Sequence, residues 1–357
     1  MHPSSARPTP SLVLPIQYLR GVAAMMVVWH HAKEQIPAVD QLLPWNFGPL
    51  GVDLFFVISG FIMRLTTVSG NVTCGQFLAR RAIRVVPLYW LLTIAMVGAW
   101  LVAPAVFRTL KVTPETFLQS LLFIPHFSNA FPGFAWPLLV PGWTLNFEMF
   151  FYVVFGLSLL FPKRWQVMFV AGVLLVLVLA GQWLGPFSSA AFLTYTSPLL
   201  IEFAGGVLIA EIWMRDAISP KAWVSIAMTV GGGAALLMCG LFPLPTYVQI
   251  SGACLVVAGV LSKNLKFGNS KEMLLLGDSS YSLYLTHIFA LGALRLAMSA
   301  LAAIPAAFST PSALLYMALA LIWCGFVGVV AYRHLEKPLL AFGQKLARRP
   351  SASNSPP

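Results

Sequence analysis

Arg20 and His31 stand eleven residues apart in the first apolar run of the chain. At about 100° per residue, eleven residues make close to three whole turns, so both side chains return to one helix face, roughly 16 Å apart along the axis. A permanently cationic guanidinium suits a phosphate-bearing ligand, and an imidazole suits proton transfer near neutral pH. His30 adjoins His31, but about 100° around the helix the two are not expected to face one point of a cavity, and on spacing alone either is a candidate base. The structural alternative for this pair is plain: Arg20 fixes helix packing through a carboxylate, and His31 reaches the headgroups.

Four further places add chemistry. Glu148 lies some seven residues into the fourth apolar run, at a depth close to that expected for His31, where a carboxylate can orient an imidazole and stabilise its charged form. Asp53, in the second run, is the competing partner for His31 or Arg20. His287 follows Tyr281, Ser282 and Tyr284 at helical spacing, which fits either donor contact near the inner mouth or a hydrogen-bonded packing role. Arg80, Arg81 and Arg84 precede the third run, with Arg81 and Arg84 three apart on one face. Such a cluster anchors topology on anionic lipid or binds the phosphates of a nucleotide-bearing donor. Ser59 and Gly60 interrupt LGVDLFFVISGF, where small residues favour close helix contact.

Each of these groups is costly where it stands. The chain is 59% hydrophobic and 9% charged, against roughly 45–50% and 25% in a soluble domain, so lipid is its main solvent. An ionisable group at membrane depth costs about 2.5–3.5 kcal/mol on insertion scales, which makes each one a functional hypothesis. The elements that must position them are spanning helices of about 20 residues. The apolar runs predict an all-α, polytopic bundle of about ten transmembrane helices near 12–32, 48–66, 85–103, 141–161, 166–184, 195–213, 221–242, 247–262, 281–300 and 312–333. Residues 1–11 and 341–357 read as disordered cytoplasmic ends around one domain at 12–340.

Alternate links hold Arg7, then Arg80, Arg81 and Arg84, then Lys163 and Arg164, then Arg215 and Lys221, then Lys263, Lys266 and Lys271, and finally Arg333, Lys337, Lys345, Arg348 and Arg349. The opposite links hold Lys33, Arg108 and Lys111, so the positive-inside rule predicts both termini in the cytoplasm. Arg20, Arg64 and Arg295 fall inside or at the margin of spans and need separate reasons. The long outer link 104–140 contains an apolar stretch, Phe117 to Phe127, too short to span and suited to a re-entrant or interfacial cap. The net charge of +11 is spread between the apolar runs, which argues against nucleic acid. Cys74, Cys239, Cys254 and Cys324 show no paired spacing, so no disulfide framework and no metal centre are expected. No fixed-period or inverted repeat is seen, which lowers the prior for a transporter.

In order, YLRGVAAMMVVWHHA, GVDLFFVISGFIM, FLARRAIRVVPLYW, PGWTLNFEMFFY and SYSLYLTH resemble the motifs of membrane acyltransferase family 3, from about Leu12 to Leu340. SLLFIPHF followed by PLLVPGWTLNFEMFFY is similar to the branch that O-acetylates bacterial exopolysaccharides. The resemblance implies that His31, before Ala32, is the catalytic histidine rather than His30. It also matches Glu148, Arg81, Arg84, Ser59, Gly60 and His287 to motif positions. The family often has a proline soon after that last histidine, where this chain has Ile288-Phe289-Ala290. Some members carry a fused extracytoplasmic hydrolase-like domain, for which this chain has no room.

The mechanism this implies starts from acetyl-CoA, or another acyl-CoA, as donor substrate rather than a permanently bound cofactor. Its phosphates would lie near Arg81, Arg84 and Arg20, with His287 at the donor site and Asp53 and Ser59 in support. His31 would take the proton of an acceptor hydroxyl as Glu148 stabilises the imidazolium; relay through an acyl-histidine is equally permitted. The acceptor expected is an exopolysaccharide or its lipid-linked precursor, and the location a bacterial inner membrane. Two rivals stay open: a family enzyme acting on a macrolide, peptidoglycan or other small acceptor, and a glycolipid transporter or flippase performing no bond chemistry.

Overall fold

The computed structural model describes residues 13–105, 107, 109–215, 221–262, 264–301 and 309–347. Residues 1–11 and the last ten of the tail, with their expected disorder, lie outside the described residues. Among the described residues every regular element is helical. The first half contains α1 (Leu14–Glu34), α2 (Pro37–Leu42), α3 (Gly48–Thr67), α4 (Cys74–Val102), α5 (Pro114–Leu121), α6 (Trp143–Ser158) and α7 (Lys163–Leu184). The second contains α8 (Ala190–Tyr195), α9 (Leu200–Met214), α10 (Ala222–Leu241), α11 (Thr246–Val260), α12 (Lys271–Asp278), α13 (Ser280–Ala300), α14 (Thr310–Ala331) and α15 (Lys337–Ala347).

A helix falls at each of the ten expected spans. Seven helical segments are long and apolar enough to cross a membrane: Gly48–Thr67, Cys74–Val102, Lys163–Leu184, Ala190–Met214, Ala222–Leu241, Ser280–Ala300 and Thr310–Ala347. Of the helices at the ten expected spans, those outside that set are α1, diluted by its polar residues, α6 with 16 residues and α11 with 15. Trp183, Ile226, Val230, Leu315 and Ile322 stand exposed on α7, α10 and α14. Apolar residues on outward faces are what a lipid solvent calls for.

Helix α3 is the central post, 78% of its apolar window lying inside the protein. Lipid tails are as apolar as leucine, so close backbone approach, rather than exclusion of water, holds such helices together. Gly60 of α3 sits on the Phe203 carbonyl and Gly206 of α9 on the Val57 carbonyl, with no room for a Cβ at either. The packing role read for Gly60 is therefore the one it plays here. Phe203 stacks between Phe56 and Phe151, with centroids 4.5 Å apart at both steps, and joins α9 to α3 and α6.

Three boundaries differ from expectation, each for a local reason. Helix α4 starts eleven residues before the expected 85, because Thr73 and Gln76 form a reciprocal capping box. Arg80, Arg81 and Arg84 thus lie inside a helix and not in the link before it. Helix α12 extends the ninth span back toward Lys271, because Gly277 packs against the Gln17 backbone and allows no side chain. At the C-terminal end a π-helix, Tyr332–Glu336, leads into α15, which runs to Ala347 and takes in residues expected in the tail from 341.

Arg64 is buried, pairs with Glu211 at 2.7 Å and donates to Gln166 at 2.9 Å. It thereby joins α3 to α9 and α7. Arg295 is exposed.

Candidate active site

One elongated cavity of about 410 Å³ brings most of the expected residues together. Arg20 of α1, Ser59 of α3, Arg81 and Arg84 of α4 and Glu148 of α6 all line it. The wall follows α3 from Thr66 to Val52, which at 1.5 Å per residue is about 21 Å. The basic residues gather toward the Thr66 end, where α1, α4 and α12 contribute Gln17, Arg20, Arg81, Arg84 and Asp278. Arg80, by contrast, is exposed.

Each cation is held differently. Arg20 donates to Gln17 Oε1 at 3.0 Å, one turn back on its own helix. Arg81 lies over the Phe77 ring at 5.8 Å, and its Nε is buried without a partner. Arg84 pairs with Glu336 at 3.0 Å, and Glu336, 1% exposed, also accepts from Ser282 at 2.6 Å. The π-helix presents that carboxylate to α4 and α13 together, a common use of the wider turn. Glu336 was missed in the sequence because it lies three residues past the expected end of the last span, where an acid excites no comment.

Glu148 accepts a hydrogen bond from Ser59 Oγ at 3.1 Å and another from Tyr152 one turn along α6. The expected partnership of Glu148 with His31 is not formed. One turn from Glu148 toward the N-terminal end of α6, Thr144 bonds the Tyr284 hydroxyl at 2.8 Å, and the same hydroxyl donates to the Pro141 carbonyl at 3.0 Å. His287 lies one turn beyond Tyr284. Two turns of about 5.4 Å thus separate the Glu148 level from the histidines. Helix α6 enters through a short 3-10 turn, Val140–Gly142, and Thr144 and Pro141 at that entry are what meet Tyr284.

His31 sits instead against His287, ring centroids 4.8 Å apart. His31 Nδ1 is 3.0 Å from the Val27 carbonyl and His287 Nδ1 is 2.7 Å from that of Tyr284. Assigning the proton to Nδ1 in each, as a carbonyl partner requires, leaves both Nε2 lone pairs free. His287, expected near the inner mouth, is fully buried beside the candidate base because α12 forms the first part of its span. The His30 ring also comes within 4.8 Å of His31, edge to face, although their Cβ atoms diverge around the helix. Between the cavity and this histidine cluster stand Tyr284 and Phe55, centroids 5.8 Å apart.

Asp53 joins neither group. It is buried on the opposite face of α3, accepts from Gln249 of α11 at 2.6 Å and faces Glu202 of α9. Glu202 is wholly buried; as a lone acid in LIEFAGG it met the rule applied to Asp53 and should have been flagged with it.

A sequence profile described as an acyltransferase domain matches residues 14–331. The chain is 41% identical over 314 residues to the exopolysaccharide production protein ExoZ of Rhizobium meliloti, covering 86% of this chain and 94% of the relative. It is 26% identical over 304 residues to the O-acetyltransferase OatA of Staphylococcus aureus. That match covers 75% of this chain and about half of OatA, 49% of its length. No solved structure matches.

Proposed function

The chain belongs to acyltransferase family 3 and is an O-acetyltransferase of multi-pass membrane type, and from that premise we propose that it moves an acetyl group from acyl-CoA to a hydroxyl of an exopolysaccharide or its lipid-linked precursor. The observation that carries this reading is the single cavity running from Arg20, Arg81 and Arg84 to Thr144 and Tyr284, just short of the His31–His287 pair. Guanidinium groups are the side chains best matched to phosphate. The donor's phosphates lie at that end and its acyl arm runs along α3 toward the histidines. In this reading both termini and this end of the cavity are cytoplasmic, with ten spans in a bacterial inner membrane, and the excess of basic residues on alternate links supports the orientation.

His31 Nε2 takes the acceptor proton as the hydroxyl oxygen attacks the thioester carbonyl, the C–S bond then breaks and the departing CoA thiolate takes that proton from His31, and the Val27 carbonyl holds the ring in the tautomer this needs. Glu148, through Ser59 and Tyr152, shapes the donor cavity rather than the imidazolium. For the thioester to meet His31, the Tyr284 ring must leave its place against Thr144 and Pro141. At the same end of the bundle as His31, a polar groove of about 690 Å³ lies between α5 and residues 188–190, with Gln119, His126 and Asn129 on its wall. Such groups suit the hydroxyls of a saccharide, and the likeness to ExoZ, an exopolysaccharide production protein, favours that acceptor over a macrolide or other small acceptor.

The test is label transfer from radiolabelled acetyl-CoA to de-O-acetylated exopolysaccharide fragments by protein in nanodiscs. His31→Ala is expected to lower the rate about 10²–10⁴-fold, the usual worth of a positioned base, while His30→Ala stays within a few-fold of wild type. Loss in His30→Ala alone would exchange the two histidines. A wild-type protein that moves unlabelled glycolipid but no label onto sugar would support the transporter reading.

A further inference from the structure

The outer end of α1 holds a cluster of which the transfer reaction uses only His31. His30, His31 and Glu34 each bring one ligand atom within 4.8 Å of the other two. His30 Nε2 is 3.4 Å from Glu34 Oε1. That spacing already suits tetrahedral zinc, in which donors about 2.0–2.1 Å from the metal stand roughly 3.4 Å from one another. Helical geometry supplies the rest: Glu34 is one turn on from both histidines, four residues from one and three from the other.

Two independent features mark a metal site rather than a chance cluster. His31 Nδ1 is fixed on the Val27 carbonyl, the arrangement by which a ligating histidine is oriented with its other nitrogen presented to the metal. His287, wholly buried with its ring against His31, has an Nε2 with no partner, and a buried acceptor of that kind calls for a proton donor or a cation. Lys33, the cation nearest in sequence, is turned away, its ammonium held by Asp40 at 2.5 Å.

We propose that His30, His31 and Glu34 form a three-residue Zn²⁺ site at the outer end of the first helix, its fourth position left to a further ligand, and that occupation switches transfer off. Zinc takes the Nε2 lone pair that His31 needs as a base, so metal binding and acceptor deprotonation exclude each other. Chemistry and inhibition thus compete for one nitrogen. The inhibitory half rests on the reading of His31 given above; the binding half does not.

The experiment separates the two. Co²⁺ is titrated into wild-type protein in nanodiscs while visible absorption is followed, and Zn²⁺ is then added as competitor. One equivalent of Co²⁺ with the intense bands of four-coordination, displaced by Zn²⁺, is the expected result. His30→Ala and Glu34→Gln, whose thermal midpoints are measured without metal to establish folding, should each bind at least tenfold more weakly. Acetyl transfer by wild type should fall in step with Zn²⁺ occupancy, while both variants keep transferring at the same Zn²⁺ concentration. Absence of the Co²⁺ bands, or binding unchanged in both folded variants, overturns the site. Binding as described with transfer indifferent to Zn²⁺ overturns the switch and, with it, the role of His31 Nε2. If no transfer is detected under any condition, the spectra alone decide the site.

Discussion

Helix α3 carries polar residues on two faces, and the two faces meet different surroundings. Ser59 points into the cavity that also holds Arg20, Arg81, Arg84 and Glu148. Asp53, six residues earlier and about 120° around the helix, faces Glu202 and Gln249 between α9 and α11 and is not part of that cavity's wall. Both positions carry the same kind of insertion cost. In the first region that cost comes with open volume and basic groups able to receive an anionic ligand. In the second it comes with a closed set of protein partners that joins three helices. A costly buried polar residue therefore marks a binding site only where it opens onto space, and otherwise marks a helix junction.

The comparison breaks or sharpens by substitution on the two sides. The largest effect is expected at Arg84→Ala or Arg81→Ala. Charge-assisted hydrogen bonds contribute about 1.5–3 kcal/mol, so the KM for acetyl-CoA should rise roughly 10- to 100-fold, with a smaller change in kcat. If KM stays put, the donor does not lie at the basic end of the cavity. Glu336→Gln removes the ionic partner of Arg84 without touching the cavity wall. A several-fold rise in KM at constant kcat would make Glu336 a positioning residue, whereas equal loss of both would point to damaged packing of α15.

Ser59→Ala deletes one hydrogen bond to Glu148, worth about 1 kcal/mol, and should reduce kcat/KM about fivefold. On the other face, Glu202→Ala strips Asp53 of a neighbour and opens a void. It should lower the thermal unfolding midpoint of the protein in nanodiscs while kcat and KM per folded molecule stay within about twofold. Kinetic loss in Glu202→Ala without a change in the midpoint would erase the distinction between the two faces.

Much of this was legible in advance. The apolar runs placed a helix at every expected span, and the spacing of Arg20 and His31 held because α1 is one unbroken helix from Leu14 to Glu34. Arg81 and Arg84 were set apart from Arg80 by the family resemblance and not by helical phase, since Arg80 and Arg84 also lie one turn apart. The pairing of Glu148 was not legible, because the level of α6 against α13 shows only in the contacts of Thr144 and Pro141 with Tyr284. Nor was the meeting of His287 with His31, since GDSSYS reads as a link between spans until α12 is seen packed against Gln17.

By itself the sequence determined which segments prefer lipid, which residues are costly there, and which of them share a helix face; these follow from composition and from the period of 3.6, both local properties. The tertiary structure alone decided which costly residues meet. Depth and rotation of one helix against another are set by where backbones can approach, at Gly60 on Phe203, Gly206 on Val57 and Gly277 on Gln17. A shift of two helical turns, about 11 Å, separates a carboxylate from a histidine as the neighbour of His31.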